Sequence, residues 1–403
     1  MSKSFVGFGF GPIQSALFLF EAYQSGNFDR FVVAEVDPNL IAAVRSNGGA
    51  YVVNIARPAS VDQVIVKGVE LCNPKDPDDR GKIIDAISQA DELATALPSV
   101  NFFDSGGGTS VAQMLAKGIS LRAGKPGILY AAENNNHAAE ILEAAVTKYA
   151  PTPNAFQYLN TVVGKMSGVI SDPAEIAKLG VVPMTPTTPK AILVEAFNHI
   201  LVAKIRGPYV RSIPVFSEKS DLLPFEEAKL FGHNAIHALI GYLSDLTGLN
   251  VLSDASTHKD IMDTARAAFL DESGAALIRK YADLNDPLFT PAGFRAYVDD
   301  LLVRIVNPNL NDLVVRVIRD PERKLGYDDR LYGTMRLAMG HGVEPKNMAR
   351  GAAAGLKYLA KTTGMQIDSK ESAAQTLRQL WGEKADSMAH RLIDLTWSAW
   401  RTL

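Results

Sequence analysis

The sequence contains a single cysteine, Cys72, among 403 residues. With one thiol there can be no internal disulfide and no thiol-rich zinc site, which fits a cytoplasmic protein. Cys72 directly follows an alternating, strand-like run from Val64 to Leu71 and reads as a small core residue rather than a nucleophile. An excess of one charge is also lacking. Lys and Arg number 41 against 44 Asp and Glu, a formal net charge of -3, and the sequence pI is near 6.2. That balance offers no electrostatic footprint for nucleic acid or an anionic membrane. Long apolar runs are missing as well: Met1-Ser-Lys-Ser leads into an apolar stretch of a few residues that breaks into glycines, too short for a signal peptide or a membrane span. No repeat period or low-complexity tract is present. The expected partners are therefore small molecules, for a monomer or small homo-oligomer.

What is present suits a large buried core. Hydrophobic residues make up 47% and charged residues 21%, and the length favours two domains. The composition of elements places them at 1–222 and 223–403: an α/β Rossmann-type dinucleotide-binding domain followed by a mostly α-helical domain.

The first half opens on Phe5-Val-Gly-Phe-Gly-Phe-Gly-Pro-Ile-Gln14, a strand that breaks into a glycine turn, and continues into helical Ser15–Tyr23. In a dinucleotide-binding turn the glycines let a pyrophosphate approach the positive end of the next helix. The best register is Gly9-Phe-Gly-Pro-Ile-Gln14, which makes Gly9, Gly11, Pro12, Ile13 and Gln14 candidate cofactor contacts. Gln14 stands where a third glycine normally lets helix and strand pack tightly. Phe31-Val-Val-Ala-Glu-Val-Asp37 then ends in acids about two dozen residues after the turn, the offset of a ribose-binding carboxylate. Glu35 is chosen over Asp37; a carboxylate there would repel a 2′-phosphate and favour NAD over NADP, while an ordinary solvated strand end is the alternative.

Tyr51–Ala56 and Val64–Leu71 read as a hairpin inserted into the parallel sheet. Ala90–Leu97, Gly127–Ala132 and Tyr158–Val163 are further strands, separated by helical stretches in the alternation of a doubly wound sheet. Asp104-Ser-Gly-Gly-Gly-Thr109 lacks the Gly-Lys-Ser/Thr ending of a phosphate loop and reads as a mobile surface loop. Glu133-Asn-Asn-Asn-His137 follows a strand; Asn134 is its candidate for the nicotinamide end, and a polar turn with a helix cap is the other explanation.

The second half is organised around Leu222–Tyr242, read as one helix with Pro224, Glu226 and Glu227 at its start. At about 100° per residue Lys229, Asn234 and His237 fall near 0°, 140° and 80°, within one arc. Partial burial would bring a lysine toward neutrality and make it a base. An amide and an imidazole beside it would hold a carbonyl or alkoxide oxygen. A wet helix face is the plain alternative, and His233, near 40°, shows how readily such a face arises. Further helices are expected over Lys259–Ala282, Pro291–Val306, Leu331–Met339, Met348–Ala360 and Ala385–Trp400. Trp381, Trp397 and Trp400 read as packing residues. Arg316, Arg319, Arg323, Lys324 and Arg330 form a basic segment with Asp320, Glu322, Asp328 and Asp329 beside it.

Taken together, these residues resemble the polyol-specific long-chain dehydrogenase family over most of the chain. The Lys229, Asn234 and His237 array matches that family's catalytic signature, with lysine as general base and the other two holding the reacting oxygen. Glu272–Tyr281, Asn307 through Arg316 to Leu325, Asp329–Leu331 and Pro345–Asn347 match in order. The resemblance implies that Asn160, Arg316 and Lys324 contact substrate. It departs at Gly164-Lys165, where the family has an Asp-Arg pair, at Gln14, and at the Asp104 loop.

The reaction it implies is NAD-dependent interconversion of a sugar alcohol or its phosphate with the ketose, mannitol 1-phosphate and fructose 6-phosphate being the first pair to consider, with no zinc required. Lys204, Arg206 and Arg211 are further candidates for a phosphate. Mannitol or a hexuronate as substrate is the rival within the family, and a dinucleotide sensor without turnover the rival outside it.

Overall fold

The protein is described from a computed structural model covering residues 3–403. The chain separates into two compact units, one ending at Phe225 and the other running from Glu226 to Leu403. The first carries twelve strands: β1 (Ser4–Phe8), β2 (Arg30–Ala34), β3 (Tyr51–Ala56), β4 (Val61–Val66), β5 (Val69–Cys72), β6 (Glu92–Thr95), β7 (Gly127–Ala131), β8 (Phe156–Val162), β9 (Ser167–Ile170), β10 (Ala191–Glu195), β11 (Leu201–Ala203) and β12 (Ser217–Lys219).

The main sheet runs β12-β11-β8-β7-β6-β1-β2-β5. From β5 to β8 every pair is parallel, in the order third, second, first, fourth, fifth, sixth of the dinucleotide-binding sheet. Crossovers leave β1 in opposite directions, so the carboxyl ends of β1 and β6 form the switch point where such folds bind ligands. Both faces are covered, so every residue of β1 is buried. Strand alternation divides the core into two layers: Phe5, Phe31, Val33, Ile128 and Tyr130 point to one, and Val6, Phe8, Val32, Leu129 and Ala131 to the other.

One expectation is corrected here. Tyr51–Ala56 and Val64–Leu71 do not form a hairpin within the parallel sheet. β3 pairs with β4 antiparallel, but in a separate four-stranded sheet of order β4-β3-β10-β9. The second run breaks at Gly68, whose φ of +74° suits glycine, and resumes as β5 beside β2. Alternation alone could not reveal that one run serves two sheets. The Asp104 loop is on the surface as expected, yet it is pinned rather than loose: the Asp104 carboxylate accepts from Ser110 Oγ, Lys148 Nζ and Tyr149 Oη.

The second unit is helical. Its longest helix, Lys346–Thr363, packs on Ala235–Leu246 through two glycines. A Cβ on Gly351 would meet Leu239 Cγ at 2.8 Å, and one on Gly355 would meet Tyr242 at 3.2 Å. The Lys346 helix begins on Glu272, whose buried carboxylate accepts from the N–H groups of Asn347 and Met348 and from Asn347 Nδ2. Trp381 is buried against Tyr327 and Tyr332, and Trp397 and Trp400 stack on each other. Among the described residues no helix is long and apolar enough to cross a membrane.

The third-glycine departure has a structural counterpart. Gln14 is fully buried, and a Cβ on Gly7 of β1 would lie 2.2 Å from Gln14 Nε2. The glycine that allows close approach therefore stands on the strand instead of the helix. Both polar atoms of the Gln14 side chain are buried without a hydrogen-bond partner among the described residues, a cost an apolar chain of similar volume would avoid. Gln14→Met should stabilise the fold by about 1–2 kcal/mol, read as a higher urea midpoint at unchanged m-value; an unchanged or lower midpoint would mean that the amide is satisfied.

Candidate active site

The helix that carries Lys229 is not one regular α-helix. It runs as α-helix over Leu223–Glu227, as π-helix over Ala228–Asn234, and returns to α over Ala235–Leu246. This corrects the angular placement expected at about 100° per residue. In a π-turn each bond spans five residues instead of four, so Lys229 and Asn234 lie nearly one above the other, whereas an α-helix would set them about 140° apart. Three residues on, in α register, His237 is a surface neighbour of Asn234. All three side chains are half-buried between fully buried neighbours such as Ala228, Gly232, Ala235 and Ile236.

Small residues make this turn possible. A Cβ on Gly232 would stand 2.7 Å from the Phe269 ring, and one on Gly333 would stand 2.7 Å from the Phe231 ring. Phe269 belongs to a second π-helical segment, Ala268–Gly274. Glu227 anchors the segment's start, accepting from Lys280 Nζ and Tyr281 Oη.

The electrostatics bring the Lys229 amine closer to neutrality than an ordinary lysine. Burial, and then the Arg330 guanidinium, bring its pKa down from the ordinary lysine value to about 8, with Glu226 opposing. Lys324 is likewise brought to about 8 by burial, then Arg330 and Arg323, and its Nζ donates to the Arg319 carbonyl. Arg330 is itself mostly buried and held by Asp329, 2.8 Å from Nε to Oδ1.

His237 Nε2 lies 2.9 Å from Asp312 Oδ2, and Asp312 Oδ1 accepts from Arg316 Nε and Nη2 at 3.0 and 2.5 Å. Burial alone would push the Asp312 carboxyl up, but the hydrogen bond and charge of His237 and the Arg316 guanidinium hold it below the usual range. An ionised carboxylate only accepts, so His237 carries its proton on Nε2. His233 is a core histidine: burial, then the charges of His237 and Arg304, push its pKa well below the usual value.

The candidates in the first unit stand at the carboxyl ends of the strands. Gly9 has φ +81°, and a Cβ on it would strike the Ala96 carbonyl at 2.9 Å, while the space before Gly11 is open. Pro12 and Ile13 open the helix that continues as a π-turn over Gln14–Phe18. Glu35 is bound into the glycine turn: Oε2 accepts from Phe10 N at 2.8 Å, and Oε1 from the N–H groups of Val36 and Asp37. Beside Asn134, Glu133 is buried and bridges two strand ends, accepting from Thr95 Oγ1 and Leu97 N.

Asn160, on β8, is engaged at the start of helix Ala138–Thr147, where Oδ1 accepts from Ala139 N and Nδ2 donates to Glu140. Lys165 donates to the carbonyls of Glu195 and Phe197, and Arg211 to that of Phe216. Within the second unit the structure thus brings together Lys229, Asn234, His237, Arg316 and Lys324. It adds two residues that the sequence reasoning did not select, Asp312 and Arg330. Asp312 stands four residues before Arg316, a helical ion-pair spacing that could have drawn attention to it. Among the described residues no group of three or more His, Cys, Asp or Glu could hold a metal ion.

Residues 221–397 match the model of the mannitol dehydrogenase C-terminal domain. The chain is 28% identical over 359 residues to the mannitol-1-phosphate 5-dehydrogenase of Exiguobacterium sibiricum, covering 88% of this chain and 85% of that one. It is 35% identical over 179 residues to the protein of the same name from Bacillus licheniformis, covering 43% of this chain and 45% of the relative. Among solved structures, a D-sorbitol dehydrogenase in substrate-free form superposes with a TM-score of 0.77 at 15% identity, over 100% of this chain and 93% of that one. Pseudomonas fluorescens mannitol 2-dehydrogenase, in a ternary complex with NAD and D-mannitol, superposes at 0.68 and 14%, over 100% and 92%. The helical unit that holds the lysine, asparagine and histidine is the part the family model covers, and that unit is similar to the C-terminal domain of the mannitol dehydrogenases.

Proposed function

We propose that this protein is an NAD-dependent polyol dehydrogenase that interconverts mannitol 1-phosphate and fructose 6-phosphate, with Lys229 as the general base. The observation that carries the reading is the amine of Lys229, brought to about 8 by burial and Arg330, on one turn with Asn234 and next to a histidine held by a carboxylate. A phosphorylated substrate is favoured by the name of the Exiguobacterium sibiricum relative and by the cationic surroundings of Lys324, Arg330 and Arg323. Arg316, Lys324 and Asn160 are assigned to substrate oxygens.

The residues of the first unit fit the dinucleotide. The positive φ of Gly9 and the open space before Gly11 make a cradle that a side chain would fill. Glu35 uses three of its roughly four acceptor positions on backbone N–H groups, which leaves one for a ribose hydroxyl. Gly9, Gly11, Pro12, Ile13, Gln14, Glu35 and Asn134 are assigned to NAD. When bound, NAD would take the hydride from the carbinol carbon.

The chain's own groups manage the proton and the oxygen. Neutral Lys229 takes the hydroxyl proton on Nζ as charge develops on the oxygen. Asn234 donates its amide N–H to that oxygen. His237, whose Nε2–H is held by Asp312, is left with a bare Nδ1 that accepts from a neighbouring substrate hydroxyl. In the reverse direction protonated Lys229 delivers the proton to a ketose carbonyl.

Comparing reduction rates of fructose 6-phosphate, fructose and fructuronate with NADH tests the substrate assignment. The phosphate ester should be preferred; faster turnover of either unphosphorylated sugar transfers the assignment to that branch, and tight NADH binding without turnover of any supports a sensor. Lys229→Ala should lower turnover about 10²- to 10⁴-fold and leave NADH affinity at the wild-type level, and an active variant would remove Lys229 from the mechanism.

The base must be neutral for oxidation, so kcat/KM for the polyol should rise with pH through about 8, and kcat/KM for ketose reduction should fall above it. Arg330→Met removes a cation that disfavours the charged amine, so both inflections should move to higher pH by on the order of half a unit; an unmoved profile would separate Arg330 from the titration.

A further inference from the structure

In two π-turns of this protein a backbone carbonyl accepts from a buried hydroxyl outside the helix. When a helix returns from five-residue to four-residue bonding, one carbonyl is passed over and receives no helical N–H. In the helix after the glycine turn, Leu19 N–H reaches back five residues to Gln14 O. The Ser15 carbonyl accepts from Tyr51 Oη at 2.5 Å. Ser15 stands three residues before the end of its π segment, and Phe231 stands three before the end of the segment Ala228–Asn234. The Phe231 carbonyl accepts from Ser273 Oγ at 2.7 Å. Thr334 Oγ1 lies 3.2 Å away, sharing its single proton with the Arg330 carbonyl at 2.5 Å. Ser273 and Thr334 are both fully buried, so no bulk water competes for the carbonyl.

We propose that Ser273, seconded by Thr334, is a positioning residue: its hydroxyl donates to the Phe231 carbonyl and thereby holds the π-turn that sets Lys229 and Asn234 on one face. Without that donor the turn is freed to revert to α register, which turns Asn234 and His237 away from Lys229. The closeness of Phe269 to Gly232 and of Phe231 to Gly333 limits how the segment can shift while it does so. Thr334 ties the same turn to the carbonyl of Arg330, so the lysine and the guanidinium that influences it are held through one hydroxyl. The inference rests on the proposed function for its kinetic consequence only.

The test uses the full chain with Ser273→Ala, Thr334→Val and Thr334→Ser. Two readouts are taken: kcat and KM with NADH and fructose 6-phosphate, and the pH dependence of Lys229 acetylation by trace acetic anhydride, followed by peptide mass spectrometry. Ser273→Ala should lower kcat about 10- to 100-fold at wild-type NADH affinity and move the acetylation midpoint away from about 8. Thr334→Val should shift both in the same direction by less, and Thr334→Ser, which keeps the hydroxyl, should restore wild-type behaviour. Wild-type kcat and midpoint in Ser273→Ala would overturn the proposal, whatever happens to its melting temperature. If Ser273→Ala does not fold, the Thr334 pair decides: equal behaviour of the valine and serine variants overturns it. If the wild-type chain reduces no ketose, the proposed function fails, and the acetylation profiles alone decide whether Ser273 holds Lys229 in place.

Discussion

A helix that changes its hydrogen-bond register must leave a carbonyl without its usual partner, and the second unit is built around a helix that changes register. In the π-turn over Ala228–Asn234 the Phe231 carbonyl accepts from side-chain hydroxyls, and the turn gains an alignment that a regular helix does not provide, Lys229 over Asn234. The surroundings have to stabilise that choice. Ser273 and Thr334 supply donors, Gly232 and Gly333 supply room, and Glu227 fixes the entry through Lys280 and Tyr281. Glu272, one residue before Ser273, anchors the start of the Lys346 helix, and that helix packs through glycines on the helix carrying His237. Backbone register, capping and packing are thus one connected arrangement.

The charges follow from the same packing. Three cations, Lys229, Lys324 and Arg330, sit where water is scarce, and such a group avoids the full cost of burial only if some of its members give up their protons or find acids. Arg330 cannot lose its proton and is paired with Asp329. The two lysines respond instead, both falling to about 8. A guanidinium that must stay charged beside amines that need not is a physical route to a base that works near neutral pH. Asp312 has the complementary role. Placed between His237 and Arg316, it stays ionised despite burial and fixes which nitrogen of His237 carries the proton.

Much of this was legible from residue types and spacing. The glycine turn after a short apolar strand, the acid ending the second strand and the Lys229, Asn234 and His237 array stand in the sequence without reference to any coordinate. The helical second half was legible too, because amphipathic period survives even where individual turns deviate. The deviations themselves were not. A π-turn differs from an α-turn by one residue in the bond pattern, and Ala228–Asn234 carries no composition that announces it; its marks are long-range, in Ser273, Thr334 and Phe269. The run Val64–Leu71 hid a change of sheet for a related reason, since alternation reports that a strand has a buried face and not which sheet owns it. Asp312 and Arg330 were hidden among charges whose plain explanation is a solvated face, and only burial separates them from their neighbours.

Two of the three π-helical segments among the described residues stand where the chemistry is assigned. One π-turn begins at Gln14, directly after the glycine turn, and there a buried amide lacks partners among the described residues while Tyr51 takes up the Ser15 carbonyl. The other carries Lys229. A fold under selection for stability alone would have little reason to retain either, since each ties a helix carbonyl to a distant side chain and each buries a polar group that water would solvate better. Retaining both is understandable if the displaced register is what brings the reacting groups together. In that case the hydroxyls of Tyr51 and Ser273, which touch neither proposed ligand, are as much a condition of the site as the residues that do.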